Sequence, residues 1–90
     1  MSLRVLTTRQ FERDVKHAKK RNKDLDKLWP MVELLVERKS LPARCRQHKL
    51  SGNWDNAWEC HIEPDWLLLW RETVDDLVLV RTGSHTDLFE

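Results

Sequence analysis

Five consecutive apolar residues, Trp66-Leu67-Leu68-Leu69-Trp70, constrain this chain more than any other feature. A run of that kind fits a central strand covered on both faces, since a half-exposed strand would alternate apolar with polar side chains. Material must therefore lie above and below it. A chain of 90 residues has enough apolar surface for one core and not for two, with roughly 60–65% of its unfolded surface buried. Residues 1–90 are accordingly read as a single domain, one sheet packed against one helical layer.

The segments around the run supply those layers. Trp58–Ile62 alternates, with Trp58, Cys60 and Ile62 on one face and Glu59 and His61 on the other. Glu63-Pro64 gives a tight connection into the apolar strand, and Leu77–Val80 is a further strand after a turn at Asp75-Asp76. Leu3–Thr7 is a short strand candidate at the start. Thr8 then caps a helix running to about Arg21, with Phe11, Val15 and Ala18 at i, i+4, i+7. Asp24 opens a second helix with Leu25, Leu28, Val32, Leu35 and Val36 on one side. Pro30 inside it predicts a kink, or a helix that effectively begins near Trp29. So short a joint makes an antiparallel helical hairpin. Ser40–Asp55 reads as irregular, and Gly83–Glu90 as a polar tail apart from Leu88 and Phe89. The order β-α-α-β-β-β is an α+β fold, with the helical hairpin on one face of a small antiparallel sheet. Its other face is then free of helices, concave and polar. It would carry His61, with Arg81 emerging from the last strand nearby.

The net charge of +1 hides an asymmetry. Residues 1–50 carry 14 Lys and Arg against 6 Asp and Glu, a balance of +8; residues 51–90 carry 2 against 9, a balance of −7. The basic half suits a polyanion, with Lys19, Lys20 and Arg21 at the end of the first helix as phosphate contacts. The plainer reading is a solvated helix face. Cys45 and Cys60 have no CxxC spacing and read as free thiols. No apolar run reaches the ~20 residues that cross a bilayer. Arg4 and Arg9 interrupt any leader-like stretch, so a cytoplasmic location is expected.

Three histidines fall after the helices, His48, His61 and His85, together with Asp65 just past a tight turn and Arg81 at a strand end. Such a set has what phosphodiester cleavage needs: proton acceptor, proton donor and a cation for charge building on phosphorus. Imidazole titrates near neutrality and serves either proton role. Taken singly, each histidine is more simply a surface or hydrogen-bonded residue. No HxH or HExxH spacing is present, and one carboxylate is too few for a two-metal site. The expected chemistry therefore uses neither metal nor cofactor.

Four stretches are shared with a known family: Asp14-Val15-Lys16 with Lys19-Lys20-Arg21, His48-Lys49-Leu50-Ser51-Gly52-Asn53-Trp54, His61-Ile62-Glu63-Pro64-Asp65-Trp66-Leu67-Leu68, and Arg81-Thr82-Gly83-Ser84-His85 followed by Leu88-Phe89. In these the chain resembles the RelE superfamily of mRNA interferase toxins, closest to its YafQ-like branch. The resemblance implies the toxin half of a type II toxin–antitoxin pair, a ribosome-dependent, metal-independent endoribonuclease that cuts mRNA in the A site. It implies as partners a cognate antitoxin, the ribosome with its rRNA, and mRNA; operator DNA would be reached only through the antitoxin complex. By position, His48, His61, Asp65, Arg81 and His85 match the catalytic surface, with Phe89 and Trp66 beside it for substrate. His85 would be the general acid, Asp65 or His61 the base, and Arg81 the cation facing the phosphate. The chain has no Tyr, so the tyrosine of some RelE-type relatives has no counterpart. Trp70 stands where a YafQ-type strand more often has Tyr. The alternative is a non-catalytic module of the same fold that binds nucleic acid or protein.

Overall fold

The apolar run becomes the middle of a sheet. The computed structural model describes residues 2–54 and 56–89, Asn53 by its backbone alone. In chain order the elements are β1 (Arg4–Thr7), α1 (Arg9–Lys20), α2 (Trp29–Val36), β2 (His48–Lys49), β3 (Trp58–Glu63), β4 (Trp66–Glu72), β5 (Asp76–Gly83) and α3 (His85–Phe89). The five strands lie in the order β1-β5-β4-β3-β2. β4, which holds the apolar run, is therefore central.

Both faces of β4 are covered. Trp66, Leu68 and Trp70 meet Phe11 of α1 and Met31, Val32 and Leu35 of α2, together with Ile62, Leu77 and Leu79. Leu67 and Leu69 point the other way, into a smaller cluster with Val80 and Leu88 that Leu50, Trp54 and Val78 flank. Trp70 fills the larger core completely, and its indole N–H has no partner among the described residues.

Local chemistry accounts for the helices. The Thr8 hydroxyl accepts from the Phe11 amide at 2.9 Å and donates to the Val80 carbonyl at 2.8 Å, so one side chain caps α1 and ties its start to β5. Asn22, at φ 61°, ends the helix in the left-handed region that Asn tolerates. Pro30 falls in the first turn of α2, where its missing N–H costs no helical bond. The helix therefore begins at Trp29 without a kink, preceded by a 3₁₀ turn at Leu25–Lys27 that Asp24 caps. β3 alternates as expected, Cys60 and Ile62 entering the larger core while Glu59 and His61 take the opposite face.

Three features depart from the expected layout. The sheet is mixed: β1 pairs parallel with β5, Arg4 opposite Asp76 and Thr7 opposite Leu79. A parallel neighbour needs a long crossover, and nearly the whole chain supplies it here. The stretch read as irregular contains β2, two residues long, paired with β3. The face expected to be free of helices is partly covered by α3, which forms from the supposed tail. The Asp87 amide donates to the Ser84 hydroxyl and the Ser84 amide to the Asp87 carboxylate, each at 3.1 Å. That reciprocal pair is a capping box. Asp55 and Glu90, the last residues of those two segments, lie outside the described residues.

Candidate active site

Sheet register assembles the histidines. In the β2–β3 ladder His48 stands directly opposite Glu59, and His61 comes two residues on, hence on the same face. The His48 Nε2 atom lies 3.2 Å from Glu59 Oε1, and His61 Nε2 lies 3.8 Å from that same oxygen. The far side of each ring is also engaged. His48 Nδ1 is 2.8 Å from the Arg46 carbonyl, and His61 Nδ1 is 3.3 Å from the Pro64 carbonyl. A carbonyl oxygen only accepts, so both Nδ1 atoms carry hydrogen.

A second pair forms where β4 begins and α3 starts. The Asp65 Oδ1 atom accepts from the His85 amide at 3.1 Å and from His85 Nδ1 at 3.2 Å. These bonds, the amide first and the ring second, hold the Asp65 carboxyl below the usual carboxylate range. An ionised Asp65 fixes the proton on Nδ1 and leaves Nε2 of His85 for a substrate. The two pairs adjoin, the rings of His61 and His85 lying 5.9 Å apart between centroids. Phe89, one turn further along α3, sits 6.1 Å from the His85 ring and packs edge-on against Trp54 at 6.1 Å. It keeps 40% of its surface exposed, enough for a base to stack on.

Arg81 emerges from β5 near this cleft as expected, with a carboxylate partner that the sequence did not reveal. Between Leu69 and Trp70 the β4–β5 register shifts, Leu69 pairing with Arg81 and Trp70 with Leu79. The extra residue at Val80 puts Arg81 on the face of its partner Leu69, the face that also carries His61, yet its guanidinium reaches back to α1. There it makes a two-pronged bond to Asp14, Nε to Oδ2 at 2.9 Å and an Nη to Oδ1 at 3.0 Å. Asp14, which also accepts from the Thr82 amide and from Gln10, raises the Arg81 pKa above its ordinary value. The guanidinium charge is thus met by a carboxylate rather than presented to the imidazoles. Arg81 and Asp65 share a small cavity of about 190 Å³ whose wall includes Lys23 and Trp66.

Trp66 also needs correction as a substrate contact. It is 1% exposed within the larger core, its indole N–H donating to Thr82 at 2.9 Å. Lys19 and Lys20 are exposed at the end of α1 as expected, while Arg21 leans toward Asp87 at 3.4 Å. Two residues were missed from sequence, Glu59 and Asp14. Both were legible as positions: Glu59 shares the face of His61 by alternation, and Asp14 falls inside the apolar stripe between Phe11 and Ala18.

The fold and this cleft can be matched to known proteins. The toxin chain of the Escherichia coli DinJ–YafQ toxin–antitoxin complex superposes with a TM-score of 0.92 at 37% identity, covering 100% of each chain. A metal-bound toxin from Helicobacter pylori superposes with a TM-score of 0.91 at 35% identity, over 97% of this chain and 99% of that one. The class so defined is that of small bacterial toxins. Residues 3–90 match the sequence profile of the bacterial toxin of type II toxin–antitoxin system, YafQ. The mRNA interferase toxin YafQ of Escherichia coli K12 is 42% identical over 81 residues, 89% of this chain and 88% of that protein. The chain belongs to the YafQ family of type II toxins.

Proposed function

We propose that the protein is an endoribonuclease that cuts mRNA on the ribosome by acid–base chemistry supplied by its own side chains. The observation that carries this reading is the Asp65–His85 pair beside His61, two imidazoles 5.9 Å apart between centroids. In the reaction, His61 takes the proton of a ribose 2′-OH through Nε2. The 2′-oxygen bonds to the adjacent phosphorus, the P–O5′ bond breaks, and His85 gives its Nε2 proton to the leaving 5′-oxygen. Asp65 orients His85 by accepting from its Nδ1. Asp65 is committed to holding His85 by two hydrogen bonds from that residue, and His61 is therefore assigned as the base. Phe89 holds a splayed base by stacking.

Charge suggests the setting. Lys19 and Lys20 are exposed and suit rRNA phosphates. The partner that silences the toxin is a cognate antitoxin, as in the DinJ–YafQ complexes, and operator DNA is reached through that complex. No helix among the described residues is long and apolar enough to cross a membrane, in keeping with a cytoplasmic target.

The test is mRNA cleavage by purified protein, with and without ribosomes, in EDTA, comparing the parent with His85→Ala. The expected result is cutting that needs ribosomes, survives EDTA and falls by at least about 100-fold in the folded variant. Cutting abolished by EDTA replaces the mechanism with a metal-assisted one, a relevant arm because the Helicobacter pylori toxin was obtained metal-bound. No cutting by a folded parent leaves the binding-module reading.

A further inference from the structure

Glu59 is an unusual residue to find in the sheet. Its side chain is 6% exposed, and its ion-pair partners among the described residues are His48 and His61 alone. On the β4 side its cross-strand neighbour is Leu69, and that of His61 is Leu67. Both leucines belong to the smaller apolar cluster. A carboxylate over an apolar floor loses hydration, which is costly unless the charge is met by hydrogen bonds or a counter-charge. No Lys or Arg among the described residues supplies one. A buried carboxylate served only by two imidazoles does little for stability that a leucine would not do better.

The ring geometry says what it does instead. The Nδ1 atoms of His48 and His61 are committed as donors to the carbonyls of Arg46 and Pro64. The Nε2 atoms therefore do the exchanging, and both face Glu59 Oε1. The Glu59 carboxylate lies 3.2 Å from His48 Nε2 and 3.8 Å from His61 Nε2, close enough to attract a positive charge on either ring. Backbone carbonyls fix one edge of each ring, and one carboxylate lies beside the other edge, nearer to His48 than to His61.

We infer that Glu59 is the positioning residue of the proton-accepting side of the cleft, orienting His48 and His61 and sharing the proton that either ring takes up. The inference rests on the ribonuclease reading for its kinetic consequence and not for its geometry. When a ring takes a proton from the 2′-OH, Glu59 lies beside the Nε2 that receives it and meets the new positive charge. His85 is served separately by Asp65 and is independent of Glu59.

Two measurements test it, one of which needs no RNA. Nitrogen-15 NMR of the imidazoles is compared in the parent, Glu59→Gln and Glu59→Asp. In Glu59→Gln, which keeps shape and removes charge, the Nε2 signals of His48 and His61 are expected to move while those of His85 stay. Ribosome-dependent cleavage is then expected to lose about 10–100-fold in kcat with KM little changed, the range seen when carboxylates orienting metal-bound histidines are removed. Glu59→Asp, charged but one methylene shorter, is expected to recover part of the loss. Unmoved His48 and His61 signals in folded Glu59→Gln overturn the inference, as does a kcat within twofold of the parent. A parent that cuts no RNA fails the ribonuclease reading while the NMR comparison still decides the role of Glu59.

Discussion

At the scale of single residues, ionisable groups in this protein fall into two sets according to what faces them. Asp14 and Arg81 close on each other, with side-chain exposures of 9% and 22%. The aligned fork of a guanidinium on a carboxylate is the strong geometry for such a pair. Asp14 also serves the Thr82 amide, so this pair holds α1 against β5. Asp14→Ala would leave a half-buried guanidinium and a buried amide without their acceptor, and is expected to cost about 3 kcal/mol. Urea unfolding checks this; a loss under about 1 kcal/mol, the worth of an exposed pair, would show that the pair is not structural. Asp65 and Glu59 belong to the other set, each reaching imidazoles with few competing partners. Cys60 belongs to neither. Burial beside Glu59 pushes its thiol up to about 12, so it is an inert core residue rather than a nucleophile.

At the scale of elements, the shortest ones carry the site. β2 is two residues long and α3 is five, yet they deliver His48, His85 and Phe89. Neither is long enough to be stable alone, so each depends on docking to the sheet. For α3 the dock is Leu88, 6% exposed in the smaller cluster with Leu67, Leu69 and Val80. Leu88→Ala is expected to cost about 2–3 kcal/mol and to lower cleavage as well, because His85 and Phe89 lose their footing although neither is altered. Cleavage at the parent rate by a destabilised Leu88→Ala protein would mean that the capping box of Ser84 and Asp87 alone positions His85. Gly83 assists the same dock. A Cβ there would lie 3.1 Å from Asp87 Cβ, so the missing side chain lets α3 fold back against β5.

At the scale of the whole molecule, charge is apportioned by element. The basic half forms β1, the two longer helices and the loop into β2, and the acidic half forms the three long strands and α3. Where the halves meet, ion pairs stitch them: Lys23 and Lys27 to Glu63 at 3.2 and 2.8 Å, and Arg21 to Asp87. Glu63, Asp65 and Asp87 all titrate below the usual carboxylate range, held down respectively by the lysines, by the His85 amide and by the Ser84 amide. A carboxylate with a lowered folded pKa contributes its stability in full above the unfolded value and loses it as pH falls through the folded one. Thermal stability is therefore expected to fall steadily once pH drops below about 4. A melting temperature that stays flat from about pH 6 to about pH 3, across the ordinary carboxylate range, would contradict the role of these three groups.

The division between sequence and tertiary structure runs along the range of the interactions involved. The sequence by itself determined what neighbours along the chain decide: the covered strand at Trp66–Trp70, the Thr8 cap, the helix start at Trp29 and the faces of β3. Each rests on contacts within a few residues or on the fixed period of a helix or strand. The capping box of Ser84 and Asp87 is equally local, and a tail so short and polar hides it. Tertiary structure alone decided the rest. A one-residue shift at Val80 moves Arg81 to the face of Leu69 and His61, since the side-chain period of a strand is two and any slip exchanges its faces, and only the packing of α1 beside β5 then brings its guanidinium to Asp14. Pairing across the sheet, between residues 11 apart in sequence, sets His48 against Glu59. The parallel seat of β1 beside β5 joins Arg4 to Asp76, the two ends of nearly the whole chain. Registers of that kind are settled by the burial of the whole sheet, and no local pattern encodes them.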